Sequence, residues 1–237
     1  MADYKDFAFV AQVFKPLDRE KIYNKLVKEF AERKLLFSTG SSREEKAVKG
    51  NEEHLLELFR EPQCPFFNNM FSFTVDIGFD FLPKEEVMDF CKIYSFDASL
   101  RARGEKEAEE KILMRWVDFV ELSKMLIKIL GPKIDFGWGD NEGAQQAIFE
   151  GEPFIIPEER PTIFTKQLWF MFYGSERLKK IGKSAVMKAP AWKVESFSDG
   201  VLLLNGPAPS SAVPGIPDTT RGVSNYFEKI LQGSGRK

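Results

Sequence analysis

An α+β fold, mostly antiparallel sheets covered by helices on one face, is what this sequence of 237 residues predicts. Three observations carry the expectation. Phe71, Phe73, Val75, Ile77, Phe79 and Phe81 alternate with Ser72, Thr74, Asp76, Gly78 and Asp80, which is the period of a half-buried strand. Strand-like and helix-like segments come in groups rather than in strict alternation, in an order that suits two split βαβ units sharing or abutting sheets. The chain also carries 23 Phe against 4 Trp and 5 Tyr, an excess of rings without polar groups that is best read as core.

The elements follow in order. Phe7 to Phe14 reads as a strand. Asp18 then caps a helix whose Ile22, Tyr23, Leu26, Val27 and Phe30 share one face. Ser38 to Gly50 is rich in Gly, Ser, Lys and Glu without apolar periodicity, and reads as an exposed loop. Asn51 opens a short helix that Glu52 and Glu53 support through its dipole and that Pro62 ends. After the Phe-rich strand, Pro83 to Cys91 reads as a helical connection, and Tyr94 to Arg103 as a second alternating strand. The longest helix spans about Glu105 to Leu130 and stops at Gly131-Pro132.

A strand is expected at Lys133 to Trp138, then an irregular connection from Gly139 to Thr165 holding Pro153, Pro157 and Pro161. Gln167 to Tyr173 is a buried-strand candidate and Ser175 to Lys188 a helix interrupted at Gly182. Trp192 to Phe197 and Val201 to Asn205 form a hairpin around Ser198-Asp199-Gly200, and Ser224 to Leu231 a last helix. This organisation predicts an N-terminal α+β unit over 1–138, a Pro/Glu-rich connection over 139–166 and a C-terminal α+β unit over 167–237 packed on the first.

Charge narrows the function. With 34 Lys and Arg against 36 Asp and Glu, the chain lacks the basic excess that displaces counterions from phosphates, so nucleic acid is not an expected partner. The longest charge-free stretch, Gly200 to Pro217, carries Pro207, Pro209, Pro214 and Pro217, which argues against a membrane helix. The start, with Asp3, Lys5 and Asp6, does not read as a cleaved leader. Cys64 and Cys91 are far apart and lack metal-ligand spacing, which fits reduced thiols in the cytoplasm.

Catalytic signals are sparse. His54 is the sole histidine and sits among leucines and glutamates on a short helix, without a nucleophile motif. No glycine-rich phosphate cradle is present, and no cofactor is expected. Carboxylates leave one enzymatic alternative: Asp76 and Asp80 project from one strand face and Asp97 from the next strand, a set that could serve a metal-dependent hydrolase. The same residues also read as a solvated sheet face, with Arg101 and Arg103 as cross-strand partners. A small-ligand binder with a Phe-lined cavity is the other alternative.

One segment stands apart. In Asp135-Phe136-Gly137-Trp138-Gly139-Asp140-Asn141-Glu142-Gly143 a tryptophan is flanked by glycines and by acids. Glycines let the backbone turn sharply and leave the ring with few local neighbours, while carboxylates face a basic partner. The expected partner-binding residues are therefore Asp135, Trp138, Asp140 and Glu142. The competing reading is a Trp at a strand end that plugs the core.

This segment, with Leu168-Trp169-Phe170-Met171-Phe172-Tyr173-Gly174, Gly182, Ala189-Pro190, Val194 and Gly200-Val201-Leu202-Leu203, resembles the immunity proteins of polymorphic toxin systems, immunity protein 52 and its uncharacterised relatives. The likeness covers roughly residues 133 to 206. It implies an α+β fold and a stoichiometric, non-enzymatic role: binding a toxin domain, often a nuclease, and blocking it inside the producing cell. Phe170 and Met171 depart from that pattern, which has more polar residues after the tryptophan.

Overall fold

A computed structural model describes residues 7–16, 18–34, 36–38, 44–46, 52–60, 65–68, 73–80, 88–95, 106–141 and 162–234. Its strands are β1 (Phe7–Phe14), β2 (Leu36–Ser38), β3 (Glu44–Lys46), β4 (Pro65–Asn68), β5 (Phe73–Asp80), β6 (Met88–Ser95), β7 (Ile134–Asn141), β8 (Phe170–Gly174), β9 (Lys193–Phe197) and β10 (Gly200–Leu204). Its helices are α1 (Arg19–Arg33), α2 (Glu52–Arg60), α3 (Lys106–Leu130), α4 (Thr162–Thr165), α5 (Ser175–Ile181), α6 (Lys183–Met187) and α7 (Thr220–Ser234). All ten strands join one sheet in the order β3-β2-β4-β5-β6-β1-β7-β8-β10-β9, and every pairing is antiparallel. The class is α+β.

Local chemistry sets the elements. Asp18 accepts a hydrogen bond from the Lys21 amide at 3.0 Å and so caps α1, whose Ile22, Tyr23, Leu26, Val27 and Phe30 are all buried. α3 runs 25 residues, about 37 Å at the helical rise. It ends at Gly131, whose φ of +57° is the left-handed conformation a side chain resists. Gly174 ends β8 where a Cβ would stand 1.9 Å from the Ile134 carbonyl oxygen, so the strands can close there only over a glycine.

Two split βαβ units organise the sheet. β6 and β7 are both antiparallel to β1, which lies between them, and α3 makes the crossover. β8 and β9 flank β10 in the same way, with α5 and α6 as the crossover. β6 and β8 point in opposite directions, yet both crossovers advance the same way along the sheet. The right-handed rule for such connections then puts α3 and the α5–α6 pair on opposite faces.

The core confirms that placement. Phe7, Phe9, Ala11 and Val13 of β1 pack with α1 and α3 on one face, joined by Trp169, Phe170, Phe172, Leu202 and Leu204. Ala8 and Val10 pack on the other, with Phe136, Trp138, Met171, Tyr173, Val201 and Leu203, beneath Leu178 of α5, Val186 of α6, and Val223 and Phe227 of α7. Helices therefore cover both faces, which corrects the expected one-face covering. The physical reason is that β8 and β10 are buried at every position, so both of their faces need a layer of helix.

Two further expectations change. Within the stretch read as loop from Ser38 to Gly50, Glu44–Lys46 forms β3, paired with β2. Charged residues blunt a sheet edge, so an edge hairpin need not show apolar alternation. Pro83 to Val87 and the expected strand beyond Ser95, Phe96 to Arg103, lie outside the described residues. Met88–Ser95 forms a strand, so the end of the expected helical connection, Met88 to Cys91, is extended instead. Its Phe90 and Cys91 are adjacent, which breaks the alternation, although Cys91 and Ile93 are fully buried.

Candidate functional site

The Gly-Trp segment is the body of β7, inserted between β1 and β8. Its glycines do not make a turn. A Cβ on Gly137 would stand 3.0 Å from the Phe9 ring, and one on Gly139 would stand 3.2 Å from both Phe170 Cβ and the Ala8 carbonyl oxygen. They leave room for the Phe9 and Phe170 rings, which meet edge to face at 4.8 Å.

Trp138 is 8% exposed and stacks on Phe136 at 5.5 Å, inside the core beneath α5 to α7. Its side chain occupies the core position rather than a partner-facing one, and that corrects its place among the contact residues. Asp135 is corrected likewise. Gln12 stands opposite Phe136 and Val13 opposite Ile134, so Asp135 is the extra residue of a β-bulge in β7. The bulge aims Asp135 at Arg177 of α5, whose Nε donates to Oδ2 at 2.7 Å while Nη2 approaches the same oxygen at 2.6 Å.

The pair is 1% and 2% exposed. Burial pushes the Asp135 carboxyl up, and the Arg177 guanidinium pulls against it. Among the described residues nothing donates to Asp135 Oδ1, so the pair joins strand to helix at a desolvation cost. Nearby, the Gln167 amide donates to the Phe164 carbonyl at 2.7 Å and to the Tyr173 hydroxyl at 2.8 Å, and burial pushes the Tyr173 phenol up.

Asp140 is half-buried, and its Oδ2 accepts the Trp169 amide at 3.0 Å, while the Trp169 indole donates to the Gly206 carbonyl at 2.8 Å. Glu142 lies outside the described residues. The structure thus brings Trp138 and Asp135 into the interior on the face of α5 to α7 and leaves Asp140 as the rim residue of the set.

The enzymatic alternative is placed by backbone alone. Asp76 pairs with Tyr94 and Asp80 with Phe90 across β5 and β6, two residues of the same strand parity, and Asp97 lies outside the described residues. Among the described residues no group of three His, Cys, Asp or Glu could hold a metal ion. His54 Nδ1 stands 3.9 Å from Glu57 on the surface of α2. Cys91 is buried, and Cys64 lies outside the described residues. No helix among the described residues is long and apolar enough to cross a membrane.

Sequence reasoning missed the exposed apolar side chains. Met114 and Val117 of α3 are 69% and 58% exposed, and Met187 and Trp192, near the β9 edge, 39% and 46%. The signal in α3 was its period, since Met114 and Val117 stand off the stripe formed by Ile112, Trp116, Phe119 and Val120.

No protein-family model matches the chain, and no curated protein matches its sequence. Among solved structures it is similar to a Pseudomonas aeruginosa T6SS protein, PA0821, with 12% identity and a TM-score of 0.50 over 97% of this chain and 73% of that one. At that identity the likeness concerns the fold, which the two share along nearly the whole of this chain.

Proposed function

We propose that this chain is an immunity-type protein, a non-enzymatic inhibitor that binds a toxin domain and blocks it in the cytoplasm of the producing cell. The observation that carries the reading is the shared fold with a T6SS protein, which extends over 97% of this chain and so includes both split βαβ units. The Gly-Trp, aromatic-strand and hairpin segments that resemble immunity proteins form β7, β8, β9 and β10, adjacent strands of that shared sheet. The ionic groups around them serve the fold: Asp135 holds Arg177, Glu195 holds Lys124, and Asp218 holds the start of α7. A rigid sheet packed on both faces suits an inhibitor that binds without rearranging.

The test is growth of cells that produce candidate toxin domains from the source genome, each with and without this chain. Co-production of the chain is expected to restore growth. Persistent killing in the presence of folded, abundant protein would contradict the proposal.

A further inference from the structure

The outer face of α3 carries a feature that packing does not account for. Met114 and Val117 lie one turn apart and stand open to solvent, while Ile112, Trp116, Phe119 and Val120 of the same helix are buried. On the helical repeat Glu110, Met114, Val117 and Glu121 form one stripe, with Asp118 on its flank. Glu110 and Glu121 are exposed and Asp118 is half-buried. An apolar centre rimmed by carboxylates is the make-up of a docking surface.

The charge on this ridge is incompletely answered among the described residues. Lys124 Nζ reaches Glu121 at 2.9 Å but is shared with Glu195 at 2.8 Å. Lys111 and Arg115, the cations of the same stretch, are engaged in contacts of their own. Asp118 makes no ion pair among the described residues. Its carboxyl is pushed up to about 6, first by burial and then by Glu121, as for an acid short of a cation.

We propose that this ridge, Glu110, Met114, Val117, Asp118 and Glu121, is the docking face for a basic surface of the toxin domain with an apolar centre. The proposal rests on the toxin-binding reading above. Met114 and Val117 would lose water against the partner's apolar groups, and its Lys or Arg side chains would supply a cation for Asp118, which pairs with none among the described residues.

The experiment measures affinity for the purified toxin domain and melting temperature for three proteins: wild type, the double variant Met114→Lys with Val117→Lys, and the control Met187→Ser with Trp192→Ser. The α3 variant is expected to melt like wild type and bind at least about 50-fold more weakly, with the control within about threefold of wild type. An α3 variant that binds as tightly as wild type would overturn the ridge and leave toxin binding standing. If wild type itself does not bind, toxin binding falls. The ridge is then read with a synthetic leucine-lysine amphipathic helix of about 18 residues. Saturable binding that only the α3 variant loses would keep the ridge as a face for basic apolar partners, and absence of such binding would overturn it.

Discussion

Arg177 of α5 closes on Asp135 of β7 at 2.6 to 2.7 Å with both side chains buried, so one ion pair ties the second crossover to the last strand of the first unit. The Arg177 guanidinium also lies 6.0 Å from the centre of the Phe136 ring. Such a pair is weak evidence of net stability, but breaking it strands a charge in the interior. Asp135→Asn and Arg177→Met are each expected to lower unfolding free energy by about 3 to 5 kcal/mol, measured by urea titration. The combined change Asp135→Leu with Arg177→Met should recover much of that loss. Single variants as stable as wild type would show that water reaches the pair.

Trp138 offers a second test of the interior of this face. Trp138→Ala removes a ring stacked on Phe136 and is expected to cost about 3 to 5 kcal/mol. Any loss of partner binding should then follow the unfolded fraction. A variant that keeps the wild-type melting temperature yet loses binding would return Trp138 to the contact surface.

Much of this architecture was legible in the sequence. β1 needed only its apolar run and α1 only its cap and stripe, and the break between α5 and α6 falls at Gly182, whose φ is +89°. The covering of both faces was harder to read, because the Phe-rich β5 alternates and so advertises one wet face, whereas β8 and β10, apolar at both parities, carry the opposite message. The candidate site was legible in residue types but not in direction. A one-residue bulge turns Asp135 inward, and nothing in the spacing of Asp135 and Arg177 announces that they meet.

Asp118 predicts a pH dependence. Its carboxyl sits at about 6 in the folded chain against 3.8 for the free side chain, so the folded state holds the proton more tightly. The cost of ionising Asp118 in the folded chain is full above about pH 6, shrinks as pH falls, and is gone below the unfolded value, where both states are protonated. Asp118→Asn should therefore melt above wild type near pH 8, with the gap closing toward about pH 4. A gap that is constant with pH would contradict the assignment.

Asp218 predicts the opposite sign. Burial works against its carboxylate, but the Thr220 hydroxyl at 2.7 Å, the Thr220 amide at 2.9 Å and the Ser210 hydroxyl at 3.0 Å together hold it below the usual carboxylate range. Its contribution is present above the unfolded pKa and is lost as pH falls through the folded one. Asp218→Ala should cost about 1 kcal/mol at neutral pH, as removal of a helix-start acceptor does. In strong acid the variant and wild type should converge, and thermal melts across pH check both points.

The central claim, inhibition by binding rather than by catalysis, is tested most directly by titrating the purified toxin domain's activity with this chain. A stoichiometric inhibitor gives a linear loss of activity with an endpoint near equimolar, independent of incubation time. Full inactivation by a small fraction of an equivalent, deepening with time, would contradict the account and turn attention to the carboxylates Asp76, Asp80 and Asp97.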